Sequence, residues 1–192
     1  MITITVVQPI FAPVNQIVEV LLNHAQLGRF FNAKISQLTP ENVGELKGGR
    51  GAIRFINIGK ISFKEQIVSA TYEHICYQII GNKPVANHQG NIYLTTQYIA
   101  DDLMATSDNS NHRVSHDNAL IRKPTNYNGE EKSTLEQSYT HIKYKIQFNG
   151  VAWLPNFILK FLVKRDICIA MQRLADYFKK QQLHRKTSAE VD

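Results

Sequence analysis

Alternating apolar and polar residues predict that much of this chain forms β-strands. Residues 2–7 alternate Ile and Val with Thr, and residues 139–148 place apolar side chains at every second position. A period of two is typical of a strand that buries one face. The same signal recurs at 33–38 and runs almost continuously through 52–98, where breaks rich in turn-forming residues divide it into an antiparallel meander of four strands.

Two further segments carry the three- and four-residue spacing of amphipathic helices. Residues 14–31 predict two short helices that meet near Asn23-His24. Residues 155–182 predict one long helix, with Pro155 suited to its first turn. Because a curved antiparallel sheet must cover its apolar face, we expect the long C-terminal helix to lie across the sheet. The predicted fold class is α+β.

The domain organisation follows from where these patterns stop. The chain of 192 residues is long enough for one domain with a sizeable core. The segment at about 104–138 is rich in Ser, Asn, Asp and Lys and poor in large apolar residues, which predicts a polar insertion outside the core. We therefore expect one domain over residues 1–182, with this insertion inside it, and a C-terminal tail over residues 183–192.

Composition and charge narrow the classes of function. The formal net charge is +6, but the densest basic run lies at the end of the long helix, where cations suit the helix dipole. We therefore expect no nucleic-acid partner. The two cysteines lie far apart and show no zinc-binding spacing, so neither a metal nor a cofactor is predicted.

The apolar stretches are too short for a membrane protein. None approaches the ~20 residues that a membrane span needs, and the N-terminus lacks a basic segment followed by an apolar run. These features predict a cytoplasmic protein with free thiols and no integral membrane segment.

Gly59-Lys60 predicts a two-residue hairpin loop whose register defines one face of the sheet. Glycine at the first loop position suits a type II′ turn. Directly opposed side chains share a face, and the face set by this loop consists of Ala52, Arg54, Ile56, Ile58, Ile61, Phe63, Glu65 and Ile67. Because apolar residues dominate it, this is the predicted inner face.

Arg54 and Glu65 are the two charged residues of that face, and the register places them opposite each other. Two interpretations stay open and do not exclude each other. The pair can be an internal ion pair that fixes the strand register, because a paired buried charge is tolerable where a single one is not. It can also anchor a carbonyl, carboxylate or hydroxyl group of a ligand in an apolar pocket.

A second hairpin, turning at 81–84, adds further candidates to the same face. A four-residue loop there places Tyr77 opposite His88 and leaves room beside the backbone of Gly90. His88 is then either a hydrogen-bonded core histidine or a pocket acid or base, since its ordinary pKa lies near neutrality. Tyr77 and Tyr144 are core aromatics that are also able to donate hydrogen bonds to a ligand.

Several of these residues also form a recognisable motif. The run Gly49-Arg50-Gly51-Ala52-Ile53-Arg54, followed by Phe63-Lys64-Glu65-Gln66-Ile67-Val68, resembles the core of bacterial SRPBCC proteins, the START/polyketide-cyclase-like superfamily. Tyr77-Gln78-Ile79, Asn87-His88-Gln89-Gly90 and Leu174-Ala175 also fit. The likeness covers residues 2–98 and 139–178, and it departs from the family where a common tryptophan is absent around 18–20.

The resemblance implies a helix-grip fold, in which a curved antiparallel sheet wraps around a long C-terminal helix and leaves a deep cavity between them. In ligand-binding relatives, pocket contacts come from the positions that match Glu65, Tyr77 and His88. The plant hormone receptors of this fold carry an aromatic hydroxyl residue at the position of His88.

Three functions are compatible with these residues. The first is binding or carrying a small hydrophobic molecule in the cavity. The second is a cyclase or dehydratase acting on a polyketide-like substrate, with Glu65 or His88 as general acid or base and Arg54 stabilising an enolate. The third is a structural or partner-binding module with a collapsed cavity. The candidate ligand contacts are Arg54, Ile56, Phe63, Glu65, Tyr77, Ile79, His88, Gly90, Ile92, Tyr144, Phe161 and Met171.

Overall fold

The computed structural model describes residues 1–81, 84–98 and 138–189. Most of the predicted insertion at 104–138 lies outside these residues. The described part contains seven strands and three helices. In chain order they are β1 (Ile2–Ile10), α1 (Val14–Leu22), α2 (His24–Phe31), β2 (Lys34–Thr39), β3 (Ile53–Ile58), β4 (Ile61–Ala70), β5 (His74–Ile80), β6 (Gln89–Tyr98), β7 (Ser138–Phe148) and α3 (Asn156–Ala189).

The strands form one curved antiparallel sheet in the order β1-β7-β6-β5-β4-β3-β2. Alternation of side chains produces its two faces, as in β7, where Ile142, Tyr144 and Ile146 are buried and Lys143 between them is exposed. The helix α3 packs against β1 and α2. The predicted antiparallel meander and the long C-terminal helix are therefore confirmed.

The hairpin between β3 and β4 has the predicted register. Ile58 pairs with Ile61, and Arg54 pairs with Glu65. Gly59 has a φ of +58°, and a type II′ turn requires a positive φ at its first loop position. A two-residue loop fixes the register of the two strands, so the loop itself determines which residues share this face.

The hairpin between β5 and β6 differs from the prediction by two residues. Tyr77 pairs with Gly90 rather than with His88, because the connection spans residues 81–88 and not only 81–84. The carbonyl oxygen of Ala86 accepts a hydrogen bond from the backbone N–H of Asn149 at 2.9 Å, which ties the connection to the end of β7. A shift of two residues keeps every side chain on its predicted face.

The two short helices meet at Asn23, as predicted. The side chain of Asn23 accepts a hydrogen bond from the backbone N–H of Gln26 at 3.3 Å and so caps α2. At the other end of the chain, α3 continues to Ala189, past the end that its apolar pattern predicts at about residue 182.

Candidate functional site

Five polar or aromatic side chains meet on the inner face of the sheet, and we call them the inner-face cluster. They are Arg54 of β3, Glu65 of β4, Tyr77 of β5, His88 just before β6 and Tyr144 of β7. They come from neighbouring strands because the strand order places β3 to β7 side by side. All five were candidate site residues from sequence.

Arg54 and Glu65 form a buried ion pair. Nε of Arg54 donates to Oε2 of Glu65 at 2.9 Å, and Nη2 of Arg54 lies 2.7 Å from the same oxygen. The two side chains are only 8% and 6% exposed. Burial raises the pKa of the Glu65 carboxyl, and the Arg54 charge opposes that rise. Burial alone lowers the pKa of Arg54, but the charge of Glu65, the nearby tyrosines and the hydrogen bond outweigh it, so the guanidinium stays charged.

The tyrosines extend this pair across the sheet. Cζ of Arg54 lies 5.1 Å from the ring centroid of Tyr77, within cation–π range. The hydroxyl groups of Tyr77 and Tyr144 hydrogen-bond to each other. Burial raises the pKa of both phenols, so they are neutral hydrogen-bonding groups at physiological pH. The space beside Gly90 is filled by Tyr77, because a Cβ on Gly90 would lie 2.1 Å from Cζ of that ring.

His88 contributes a buried ring nitrogen to the cluster. Its ring lies between Tyr77 and Phe148, with centroid distances of 5.5 and 6.4 Å. Its Nδ1 is buried and has no hydrogen-bond partner among the described residues. Burial, aided by the positive charge of Arg54, lowers the pKa of His88 to about 4, so the ring is neutral at pH 7.

The predicted apolar contacts differ in how deeply they are buried. Ile56, Ile92 and Met171 are at most 6% exposed and belong to the buried core. Phe63 and Ile79 are half-buried, and Gly90 is buried against Tyr77.

Phe161 does not join the other predicted contacts, because its side chain is 66% exposed. The buried stripe of α3 is formed by Ile167, Ala170, Met171, Leu174 and Phe178. At about 100° per residue, Phe161 lies about 140° around the helix from Leu174. The three- and four-residue spacing in the sequence includes apolar residues on two different faces of this helix. Phe161 lies on the exposed one, so the expectation that it contacts a ligand is corrected.

Sequence reasoning missed a second feature, a groove between the α1–α2 corner and the edge strand β2. Its volume is about 580 Å³, within the range of small-molecule pockets. We call it the α1–α2 groove, and its lining residues are Val18, Glu19, Leu22, Asn23, His24, Ala25, Ile35, Ser36, Gln37, Leu46, Lys47, Gly48 and Tyr72. Its walls come from four separate segments, so no local sequence pattern signals it.

Two other kinds of site are absent from the described residues. Within residues 1–81, 84–98 and 138–189, no three His, Cys, Asp or Glu side chains are grouped so that they could hold a metal ion. None of the helices in the same ranges has both the length and the apolar character required to span a bilayer. The cytoplasmic location stays a prediction.

Comparison with known proteins identifies the fold. No family model matches the chain, and no curated protein matches it. Among solved structures, a START superfamily protein from Mycobacterium smegmatis has a TM-score of 0.61 at 8% identity, covering 93% of this chain and 98% of that one. The Aha1 dimer from Colwellia psychrerythraea has a TM-score of 0.55 at 13% identity, with 93% and 96% covered.

A third structure with this fold is DynU16, a protein of the dynemicin biosynthetic locus. It has a TM-score of 0.52 at 14% identity, covering 92% of this chain and 47% of that one. The curved seven-stranded antiparallel sheet, the long C-terminal helix and these neighbours together define a START-like fold. The predicted α+β helix-grip fold is confirmed, and at these identities the likeness extends to the fold alone.

Proposed function

We propose that the protein binds or carries a small hydrophobic molecule between the inner face of its sheet and α3, with the inner-face cluster orienting the polar end of that molecule. The observation that carries the proposal is the buried Nδ1 of His88, which has no hydrogen-bond partner in the described part of the chain and lies beside polar side chains that bond to one another. A buried polar atom without a partner is destabilising. A ligand with one hydrogen-bonding group removes that penalty.

The composition of the cluster supports a recognition role. A buried ion pair seldom adds stability over apolar residues of the same size, so stability alone gives little reason for Arg54 and Glu65 to be present. Binding sites for apolar molecules combine mostly hydrophobic walls with a few fixed polar groups. Arg54, Tyr77 and Tyr144 are such fixed groups, set among Ile56, Ile92 and the rest of the core.

The packing of α3 supports an opening at one end of the helix. Four apolar residues in its N-terminal half are only half-buried: Ile158, Leu159, Leu162 and Val163. The C-terminal half is anchored by residues such as Leu174 and Phe178, which are at most 2% exposed. The N-terminal half of α3 can therefore move to let a ligand enter, because little buried apolar surface is exposed when it does so.

The geometry favours binding over catalysis by the predicted acid or base residues. Oε2 of Glu65 receives both contacts from Arg54, and the charge of Arg54 opposes protonation of the carboxylate. His88, with its pKa lowered to about 4, is a weak base at neutral pH. A cyclase or dehydratase reaction would need either a Glu65 carboxylate released from Arg54 or a His88 ring whose pKa lies near neutrality.

A fluorescence titration with the neutral apolar probe N-phenyl-1-naphthylamine tests the proposal. We expect saturable binding to the wild-type protein and binding weakened about tenfold or more in the bulkier Tyr144→Trp variant, which fills space beside the cluster. His141→Phe, on the outer face of β7, is the matched control and should leave binding unchanged. Absence of saturable binding by the wild type, or equal loss in the control, would contradict the proposal.

A further inference from the structure

The α1–α2 groove is built from four parts of the chain that are held in place without a ligand. The carboxylate of Glu41 accepts hydrogen bonds from the backbone N–H of Gly48 at 3.0 Å and from Nε2 of Gln37 at 3.3 Å. These bonds fasten the loop before β3 to the edge strand β2. The groove is therefore preformed, and binding in it need not order the loop.

Gly48 allows this loop to lie directly against the end of α1. Its φ is +72°, and a Cβ at this position would lie 2.2 Å from the carbonyl oxygen of Leu22 and 3.4 Å from Nε2 of His24. Only glycine fits both the backbone conformation and the close approach. The loop backbone thus forms a fixed wall beside the ring of His24.

His24 is a buried polar side chain of the groove. It is the first residue of α2, lines the groove and is only 4% exposed. Neither Nδ1 nor Nε2 has a partner at full hydrogen-bond geometry among the described residues, although the backbone of Gly48 lies beside the ring. Burial, with the nearby charge of Arg54, lowers its pKa to about 4, so the ring is neutral and presents one N–H donor and one acceptor nitrogen.

The charges and the apolar walls of the groove indicate the kind of molecule that fits. Glu19 and Lys47 are the two formally charged residues that line it, and their charges are opposite. No excess charge is present to attract an anion or a cation. The remaining wall is largely apolar and includes Val18, Leu22 and Ile35.

We propose that the α1–α2 groove is a second ligand site, which takes a small uncharged and mostly apolar molecule whose hydroxyl group hydrogen-bonds to the ring of His24. The site is separate from the inner-face cluster, because none of the five cluster residues lines the groove. It goes beyond the proposed carrier function and does not depend on it.

The test compares 4-methylphenol with 1,4-dimethylbenzene, in which a methyl group replaces the hydroxyl. Both are titrated into the ¹⁵N-labelled full chain, and amide shifts are followed by NMR. We expect 4-methylphenol to shift the amides of Ser36, Leu46 and Gly48 saturably and to bind about tenfold more tightly than 1,4-dimethylbenzene. Shifts confined to the amides of β3 to β7 would instead report the inner-face site, which keeps the two proposals distinguishable.

Two variants assign the preference to His24. His24→Phe keeps an aromatic ring of similar size without polar nitrogens, and we expect it to bind the two probes equally. His24→Gln restores a donor and an acceptor and should recover most of the preference for 4-methylphenol. The proposal is overturned if the wild type shows no shifts at the groove, or if the hydroxyl preference is absent in the wild type or persists in His24→Phe.

Discussion

Replacing Glu65 by alanine leaves the guanidinium of Arg54 buried without a counter-charge. The two contacts to Oε2, at 2.9 and 2.7 Å, are lost, while the side chain of Arg54 stays in surroundings that leave it 8% exposed. The Tyr77 ring, 5.1 Å away, offsets only part of the lost attraction. Breaking a buried pair in this way costs about 3–5 kcal/mol.

The double variant Arg54→Met/Glu65→Leu separates the ion pair from the space that it fills. It removes both charges and keeps apolar volume on the inner face, so we expect a free energy of unfolding within about 1 kcal/mol of the wild type or above it. Urea unfolding followed by circular dichroism measures all variants, and the single variants Arg54→Met and Glu65→Leu complete the double-mutant cycle. Because the m-value reports the surface exposed on unfolding, it should be unchanged across the set.

The reasoning fails if Glu65→Ala lowers the free energy of unfolding by less than about 1 kcal/mol, the value of an exposed pair. That result would mean that water reaches Arg54. It also fails if the double variant is as unstable as Glu65→Ala, because the loss would then come from packing rather than from an unpaired charge.

Three further predictions concern stability measured by urea unfolding. The unfolded state takes up a proton at His24 below pH 6.5 while the folded state resists it down to about pH 4. As the pH is lowered through this window, wild-type stability therefore falls by up to about 3 kcal/mol more than that of His24→Phe, and parallel pH profiles would contradict this. Gly90→Ala should lower the free energy of unfolding by about 1–3 kcal/mol, because the added methyl group overpacks against the ring of Tyr77. In a Tyr77→Ala background that ring is gone, so Gly90→Ala should cost little more. Fully additive losses would argue against the contact between residue 90 and the Tyr77 ring. Thr140→Val, which loses the 2.7 Å hydrogen bond to the carbonyl of Ala12, should cost about 1–2 kcal/mol, and an unchanged midpoint would refute it.

The sequence predicted the parts of the site that depend on local geometry. A two-residue loop at Gly59 and a side-chain period of two suffice to place Arg54 opposite Glu65, and burial of both on an apolar face follows from the neighbouring residues. The strand signals and the joint at Asn23 were equally local. Each was confirmed, because a local signal does not depend on which distant segments pack together.

Features that depend on tertiary contacts were not predictable in the same way. The register of Tyr77 depends on the length of the connection to β6, and this connection is bonded through Ala86 to Asn149 far along the chain. The exposure of Phe161 depends on which side of α3 meets the sheet. The groove around His24 joins segments that only the fold brings together.

Native mass spectrometry of the freshly purified full chain tests most directly whether a small hydrophobic molecule binds between the sheet and α3. Gentle ionisation preserves buried apolar ligands, and the mass difference from the denatured chain gives the mass of anything bound. We expect the wild type to carry, or to take up when offered N-phenyl-1-naphthylamine, one small molecule per chain, and Tyr144→Trp to retain much less. A wild-type chain that appears only at its own mass, both as purified and with the probe added, would show that the interior holds no guest.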